Sequence, residues 1–170
     1  MSAKYVFVAP YDEQWAVQFA EIADIIRDTL GGLALRIEHV GSTSVRGLSA
    51  KPIIDIDVVI ADRSALEDVI VLLGKLGYRY EGDKGIPDRE AFSYEGEEEL
   101  PRHHLYVCPR GSAELRRHTA FRDYLRSHPD AVREYSRIKE EGAALYPYDI
   151  DAYIEHKSPF IQGIYDSLGL

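Results

Sequence analysis

The chain has 170 residues, 45% of them apolar and 29% charged, a mix that supports one ordinary globular domain and excludes a disordered, collagen-like or low-complexity polypeptide. Its 29 acidic against 20 basic residues give a formal net charge of −9. That balance argues against non-specific coating of DNA or RNA, yet leaves room for a small anion held by a metal or by local donors. The one cysteine, Cys108, follows Leu105, Tyr106 and Val107 and reads as a buried, unreactive thiol without an intrachain disulfide. Met1 to Ala9 holds a single lysine and no long apolar stretch, and no segment approaches the roughly 20 apolar residues of a membrane span. A soluble, cytoplasmic chain without a signal peptide is expected.

Pro10 and Asp12 precede a helical pattern in which Trp15, Phe19, Ile22 and Ile26 recur, and Gly31-Gly32 ends it. A short strand, Leu35 to Val40, follows with Leu35, Ile37 and His39 on one face. Next comes the small-residue loop Gly41-Ser42-Thr43-Ser44. The β-branched run Ile53 to Ile60 is the strongest strand in the sequence. Ser64-x-x-Glu67 reads as a capping box opening a helix with the stripe Leu66, Val69, Ile70, Leu73 and Leu76, closed by Gly77. Three short strands follow: Tyr78 to Glu81, Ala91 to Tyr94 and His104 to Cys108. From Ala113 onward the pattern is helical. One helix carries Leu115, Phe121 and Leu125 and a second carries Val132, Tyr135 and Ile138. A third follows Asp149 with Ile150, Ile154, Ile161 and Ile164, and is expected to bend at Pro159. This segregation predicts a single α+β domain over residues 1–170, with a sheet-bearing core at 1–110 and a helical tail at 111–170.

The chemistry concentrates between Glu38 and Ile60. Asp55 and Asp57 lie two apart in an otherwise apolar strand, so they share a face, roughly 6–7 Å apart along it. Two carboxylates projecting together ask for a cation, and magnesium suits hard oxygen ligands. A pair of such ions about 3.5–4 Å apart is a geometry of phosphoryl and nucleotidyl transfer. The plainer alternative pairs Asp55 with a lysine such as Lys51. A second copy of the same letters, Asp149-Ile150-Asp151, follows Pro147 and opens a helix, where carboxylates cap free amides. That copy reads as structural. Gly41 allows close backbone approach, and the N–H groups with the Ser42, Thr43 and Ser44 hydroxyls can cradle phosphate oxygens.

The stretch HVGSTSVRGLSAKPIIDI resembles the signature of the GrpB family, predicted members of the nucleotidyltransferase superfamily that includes DNA polymerase beta. The resemblance extends to Tyr11, Trp15 and Phe19, to Gly85-Ile86-Pro87 with Arg89, to Arg102-His103-His104-Leu105 and to the tail motifs Phe121 to Arg126 and Tyr153 to Ile161. It implies a nucleotidyltransferase-like small mixed sheet flanked by helices. It gives Gly41 and Ser42 a role at the triphosphate, and Asp55 and Asp57 the magnesium ions. The superfamily adds a third carboxylate on a neighbouring strand. The corresponding segment here, His104 to Val107, offers none, so His104 is the candidate substitute as ligand or base. Tyr106 stands where the family usually has histidine, and Arg46 where it usually has proline.

Lys51, Arg89 and Arg102 are candidates for holding an anionic substrate, with surface solvation or ion pairing as the plainer reading. Lys139 and Lys157 lie on tail helices that could close over the site, although most helical lysines are solvated. His39 is expected to pack beside the sheet, the tail tyrosines to pack, and Glu95 to Glu99 to form a solvated loop. The expected function is magnesium-dependent transfer of a nucleoside monophosphate from a nucleoside triphosphate to an unknown hydroxyl acceptor. The alternative is a catalytically incomplete domain binding a nucleotide or a coenzyme A-related ligand, since related domains are found fused to dephospho-CoA kinase.

Overall fold

The computed structural model describes residues 5–170; residues 1–4, part of the stretch read as lacking a signal peptide, lie outside them. In chain order the elements are α1 (Gln14–Leu30), β1 (Arg36–Val40), β2 (Ile54–Ile60), α2 (Leu66–Leu76), β3 (Tyr78–Gly82), β4 (Glu90–Tyr94) and β5 (His103–Pro109). Three tail helices follow: α3 (Ala113–Arg126), α4 (Pro129–Leu145) and α5 (Ile150–Ser167). The strands form one mixed sheet in the order β1-β2-β5-β4-β3. β2 runs parallel to β5, and the other neighbours are antiparallel. The α+β reading holds.

Side-chain alternation along β2 divides the molecule. Ile54, Ile56, Val58 and Ile60 point into a core with Ile22 and Ile26 of α1 and Val69 and Leu73 of α2. Each such buried aliphatic side chain is worth about 1.5–3 kcal/mol against solvent exposure. On the opposite face Val59 packs with Cys108 and Leu115, and the Cys108 thiol is pushed up by burial, in keeping with an unreactive sulfur. The tail closes on the connection between β1 and β2: Leu125, Val132, Tyr135 and Ile164 bury Val45 and Leu48.

Three local expectations need correction. The turn into α2 is capped by Asp62, which accepts the Ser64 N–H at 2.8 Å and the Ser64 hydroxyl proton as well. Asp62 outcompetes Ser64 because an ionised acceptor makes the stronger bond to a backbone amide. β1 begins at Arg36, and Leu35 is exposed although its N–H still reaches Val59 O. In α5 the buried residues are Tyr153 and Ile164, whereas Ile154 is exposed. α5 continues through Pro159, and no helix among the described residues is long and apolar enough to cross a membrane.

Candidate functional site

Because Ile54, Ile56 and Val58 occupy the core, Asp55 and Asp57 must emerge together on the other face of β2. Their surroundings differ. The Asp55 side chain is 31% exposed, and its Oδ1 accepts a hydrogen bond from His104 Nδ1 at 3.0 Å. Asp57 is fully buried, and its Oδ2 accepts from His118 Nδ1 of α3 at 2.7 Å. Its other oxygen, Oδ1, is buried with no hydrogen-bond partner. The parallel register sets His104 beside Asp55 and Tyr106 beside Asp57. Glu38 lies across from Asp57 on β1 and is held by Arg122 at 2.7 Å, which offsets a like-charge cross-strand pair.

Burial pushes the Asp57 carboxyl above its ordinary range, against the hydrogen bond and charge of His118, and the Asp55 charge adds to the upward push. Burial opposes charge on His118, but the bond to Asp57 and the charges of Asp57 and Glu114 outweigh it and raise the imidazole. Glu114 Oε1 faces the second ring nitrogen of His118 at 3.5 Å, so both ring nitrogens lie beside carboxylates.

The loop after β1 brings backbone against this pair. Gly41 has φ +71°, and a Cβ there would lie 2.2 Å from Asp55 Oδ2. Only glycine allows both the backbone angle and the approach. Ser42 opens the following turn, and its hydroxyl accepts a hydrogen bond from Lys139 Nζ of α4. Lys139 is 2% exposed, donates also to Ser49 O at 3.2 Å, and lies 4.3 Å from the Tyr135 ring centroid. Burial, then the neighbouring Lys157 charge, hold its ammonium well below the usual lysine range. Lys157 is lowered by burial and then by Lys51.

Three cavities meet here. One of about 180 Å³ is walled by Ser42, Thr43, Lys51, Asp55, His104, Lys139 and Lys157, with Tyr153 at its side. A second, about 160 Å³, is lined by Gly41, Asp55, Arg89, Tyr106 and His118. A third, about 420 Å³, shares Lys51, Ile53 and His104 with the first and adds Tyr5, Phe7 and Arg102.

Of the residues singled out in the sequence, Gly41, Ser42, Thr43, Lys51, Asp55, Arg89 and His104 line the first two cavities. Asp57 lies beneath them, tied to His118. Ser44 falls outside all three, because its hydroxyl turns back to donate to Gly41 O. Arg102 is placed in the aromatic third cavity, away from Ser42. His104 lines the first and third cavities, and Arg89 the second. His39 packs as expected, stacked on Phe19 at 4.6 Å with its Nε2 2.9 Å from Thr43 Oγ1.

Sequence reasoning missed His118 and undervalued two lysines. His118 lies three residues after Leu115 on the inward side of α3. Lys139 shares the buried stripe of α4 with Val132, Tyr135 and Gly142, a spacing at which a solvated lysine does not belong. In both cases the signal was a polar residue in phase with an apolar stripe.

Among the described residues no three His, Cys, Asp or Glu side chains form a metal cage. The donor set nonetheless fits a hard divalent ion that takes one or two carboxylates and completes its shell with water and substrate phosphates. The orphaned Asp57 Oδ1, aimed from the same face as Asp55, is the observation that supports the fit.

The five-stranded mixed sheet with its helices is a nucleotidyltransferase-like fold: Cid1, solved in complex with the UTP analogue UMPNPP, superposes with a TM-score of 0.53 at 12% identity, covering 76% of this chain and 40% of Cid1. A family model described as GrpB protein matches residues 5–167, and the chain belongs to the GrpB family. The crystal structure of the conserved protein GrpB from Enterococcus faecalis matches with a TM-score of 0.83 at 33% identity, covering 95% of this chain and 96% of that one. A UPF0157 protein of Pseudomonas aeruginosa is 38% identical over 160 residues, covering 92% of this chain. The UPF0157 protein YqkA of Bacillus subtilis is 34% identical over 152 residues, covering 89% of it. The matched part spans 65% and 44% of those two relatives.

Proposed function

We propose that the chain is a magnesium-dependent nucleotidyltransferase that moves a nucleoside monophosphate from a nucleoside triphosphate to an acceptor and releases pyrophosphate. One observation carries the reading: Asp55 lines two cavities at once, one cationic with Lys51, Lys139 and Lys157, the other small and bounded by Gly41, Arg89 and His118. In this reading the cationic cavity takes the phosphates and the small one the acceptor. The Lys139 and Lys157 charges, disfavoured by burial, are stabilised when an anion arrives. Ser42 and the backbone after Gly41 offer hydrogen bonds to phosphate oxygens. The third cavity, at about 420 Å³ and walled by Tyr5 and Phe7, is of small-molecule size and suits a nucleoside.

Asp55 and Asp57 would hold the magnesium, whose charge when bound stabilises the entering and leaving oxygens. His104 and His118 act as positioning residues: each fixes one oxygen of one aspartate and leaves the other oxygen for a ligand. Calorimetric titration of each magnesium-nucleoside triphosphate into wild type, Asp55→Asn and Lys139→Met tests the reading. Wild type is expected to bind at least one triphosphate, with affinity falling tenfold or more in both variants. Equal binding by all three proteins would remove it.

A ligand-binding module without catalysis is favoured by one observation: Asp55 is the single carboxylate lining the small cavity, so the superfamily's third acid has no counterpart there. Pyrophosphate release that is lost in Asp57→Asn would exclude that alternative.

A further inference from the structure

Resting on the nucleotidyltransferase reading, we infer that the acceptor is a phosphomonoester, whose phosphate docks on Arg89 in the small cavity, and not a neutral hydroxyl. Three observations of the cavity lead there.

First, Arg89 makes no contact ion pair among the described residues, although its charge acts on nearby Asp57. Its guanidinium lies 4.4 Å from the Tyr106 ring centroid, and its Nε is buried without a hydrogen-bond partner. Among the described residues no carboxylate comes within ion-pair distance of it, although Asp88 and Glu90 flank it in sequence. Those two are both bound by Arg63, at 3.2 and 2.9 Å. Asp88 adopts φ +57°, and Tyr80 donates a further bond to Glu90 at 2.9 Å. The loop is therefore pinned on either side of Arg89 by contacts that leave its fork free. An arginine fork so placed matches an oxyanion with two oxygens to offer.

Second, the one carboxylate lining the cavity, Asp55, is the one that would hold magnesium, and no histidine lining it is open to take a proton from a hydroxyl. Both ring nitrogens of His118 already face carboxylates, Asp57 at 2.7 Å and Glu114 at 3.5 Å. His104 does not line this cavity, and its Nδ1 is bonded to Asp55. Glu38 is held by Arg122. A phosphomonoester needs no such base, because its second pKa is about 6 and it enters as a dianion.

Third, the size is right for a functional group. The cavity, about 160 Å³, has room for a phosphate and its bridging atoms.

The step balances without proton transfer. A phosphate oxygen of the acceptor forms a bond to the α-phosphorus. The bond from that phosphorus to the α–β bridging oxygen breaks, and the electron pair leaves with pyrophosphate. The product carries a new P–O–P linkage. With inorganic phosphate as the smallest acceptor, ATP would yield ADP whose β-phosphate comes from the added phosphate.

The test loads the protein with magnesium and a non-hydrolysable ATP analogue, so that the lysine cavity is filled, and then titrates inorganic phosphate by calorimetry. Wild type is expected to bind phosphate more tightly than acetate. Arg89→Gln should lose at least tenfold in phosphate affinity, and Arg89→Lys, which keeps the charge but not the fork, should fall between them. Affinity for the ATP analogue should stay within twofold in both variants. Phosphate affinity unchanged in Arg89→Gln, or acetate preferred to phosphate, overturns the phosphate assignment while the proposed function stands. So does nucleotidyl transfer to glycerol unaffected by Arg89→Gln. If the ATP analogue itself does not bind wild type, the proposed function fails first and takes this inference with it. Labelled orthophosphate appearing in the β-position of ADP, and lost in Arg89→Gln, would show the full reaction.

Discussion

The tripeptide Asp-Ile-Asp occurs twice, and the two copies solve the problem of carboxylate charge differently. At 149–151 the backbone supplies the answer. Asp149 accepts the Ala152 N–H at 3.1 Å as the cap of α5, and Asp151 lies in the first turn, near the positive helix end. At 55–57 the strand's amides are spent on sheet pairing, so the carboxylates depend on two histidines from other elements. Even then one oxygen of Asp57 is left buried and unpartnered. An aspartate whose local backbone offers donors is structural. One that must recruit partners across the fold, and still lacks one, is available to a ligand.

The largest expected effect breaks the first copy through its neighbour. Gly41→Ala should cost about 3 kcal/mol, because it combines a glycine-only backbone angle with a methyl 2.2 Å from Asp55 Oδ2. Denaturant unfolding measures the loss, and a cost under about 0.5 kcal/mol would mean that the loop and the aspartate are not tightly coupled. Asp55→Asn is the sharper probe of ligand binding. It should weaken magnesium-triphosphate affinity about 100-fold, equivalent to about 2.7 kcal/mol. Stability should change by less than about 1 kcal/mol, since the bond to half-exposed His104 contributes little to the fold. A large stability loss with unchanged binding would make this copy structural too.

Much of this contrast is legible in the sequence, because strand alternation and helix capping are local. Ile54, Ile56 and Val58 alternate with Asp55 and Asp57, and Pro147 with Asp149 announces a helix start. The partners are another matter. His118 reaches Asp57 from 61 positions away and Lys139 reaches Ser42 from 97, distances that only the tail's packing on Val45 and Leu48 closes. Nothing local to the Gly41 loop predicts which helix will cover it. What was available was the phase of each residue on its own helix: Lys139 falls four residues after Tyr135 on a buried stripe. The cap of the turn leading into α2 went to Asp62 for a similarly local reason, as a stronger acceptor two residues upstream of Ser64.

The pH dependence extends the comparison to the strand beside the first copy. Burial, then the Arg126 charge, lowers the His39 imidazole to about 4, with Asp55 acting in the opposite direction. In the unfolded chain the same ring titrates near 6.5. Between those values the unfolded state binds more protons, so folding stability is present above pH 6.5 and is lost as pH falls toward 4. The loss attributable to His39 should be about 2 kcal/mol, after allowance for its partly solvated ring. Denaturant midpoints across this range, compared with those of His39→Gln, isolate it. The variant should show a flatter profile. Parallel profiles would mean that the ring is not held neutral beside Thr43 and Phe19.

The smallest effect belongs to the second copy. Asp149→Ala removes one cap from one helix, and such caps are worth about 1 kcal/mol. The effect should appear in thermal unfolding and not in binding of any triphosphate, because Asp149 lines none of the three cavities. Asp149→Ser should recover most of the loss, since a hydroxyl can accept the same amide. Asp55→Ser should recover no ligand affinity, since a hydroxyl replaces neither a carboxylate's charge nor its second oxygen. If serine were to serve equally at both positions, capping and ligand binding would not be what separates the two copies.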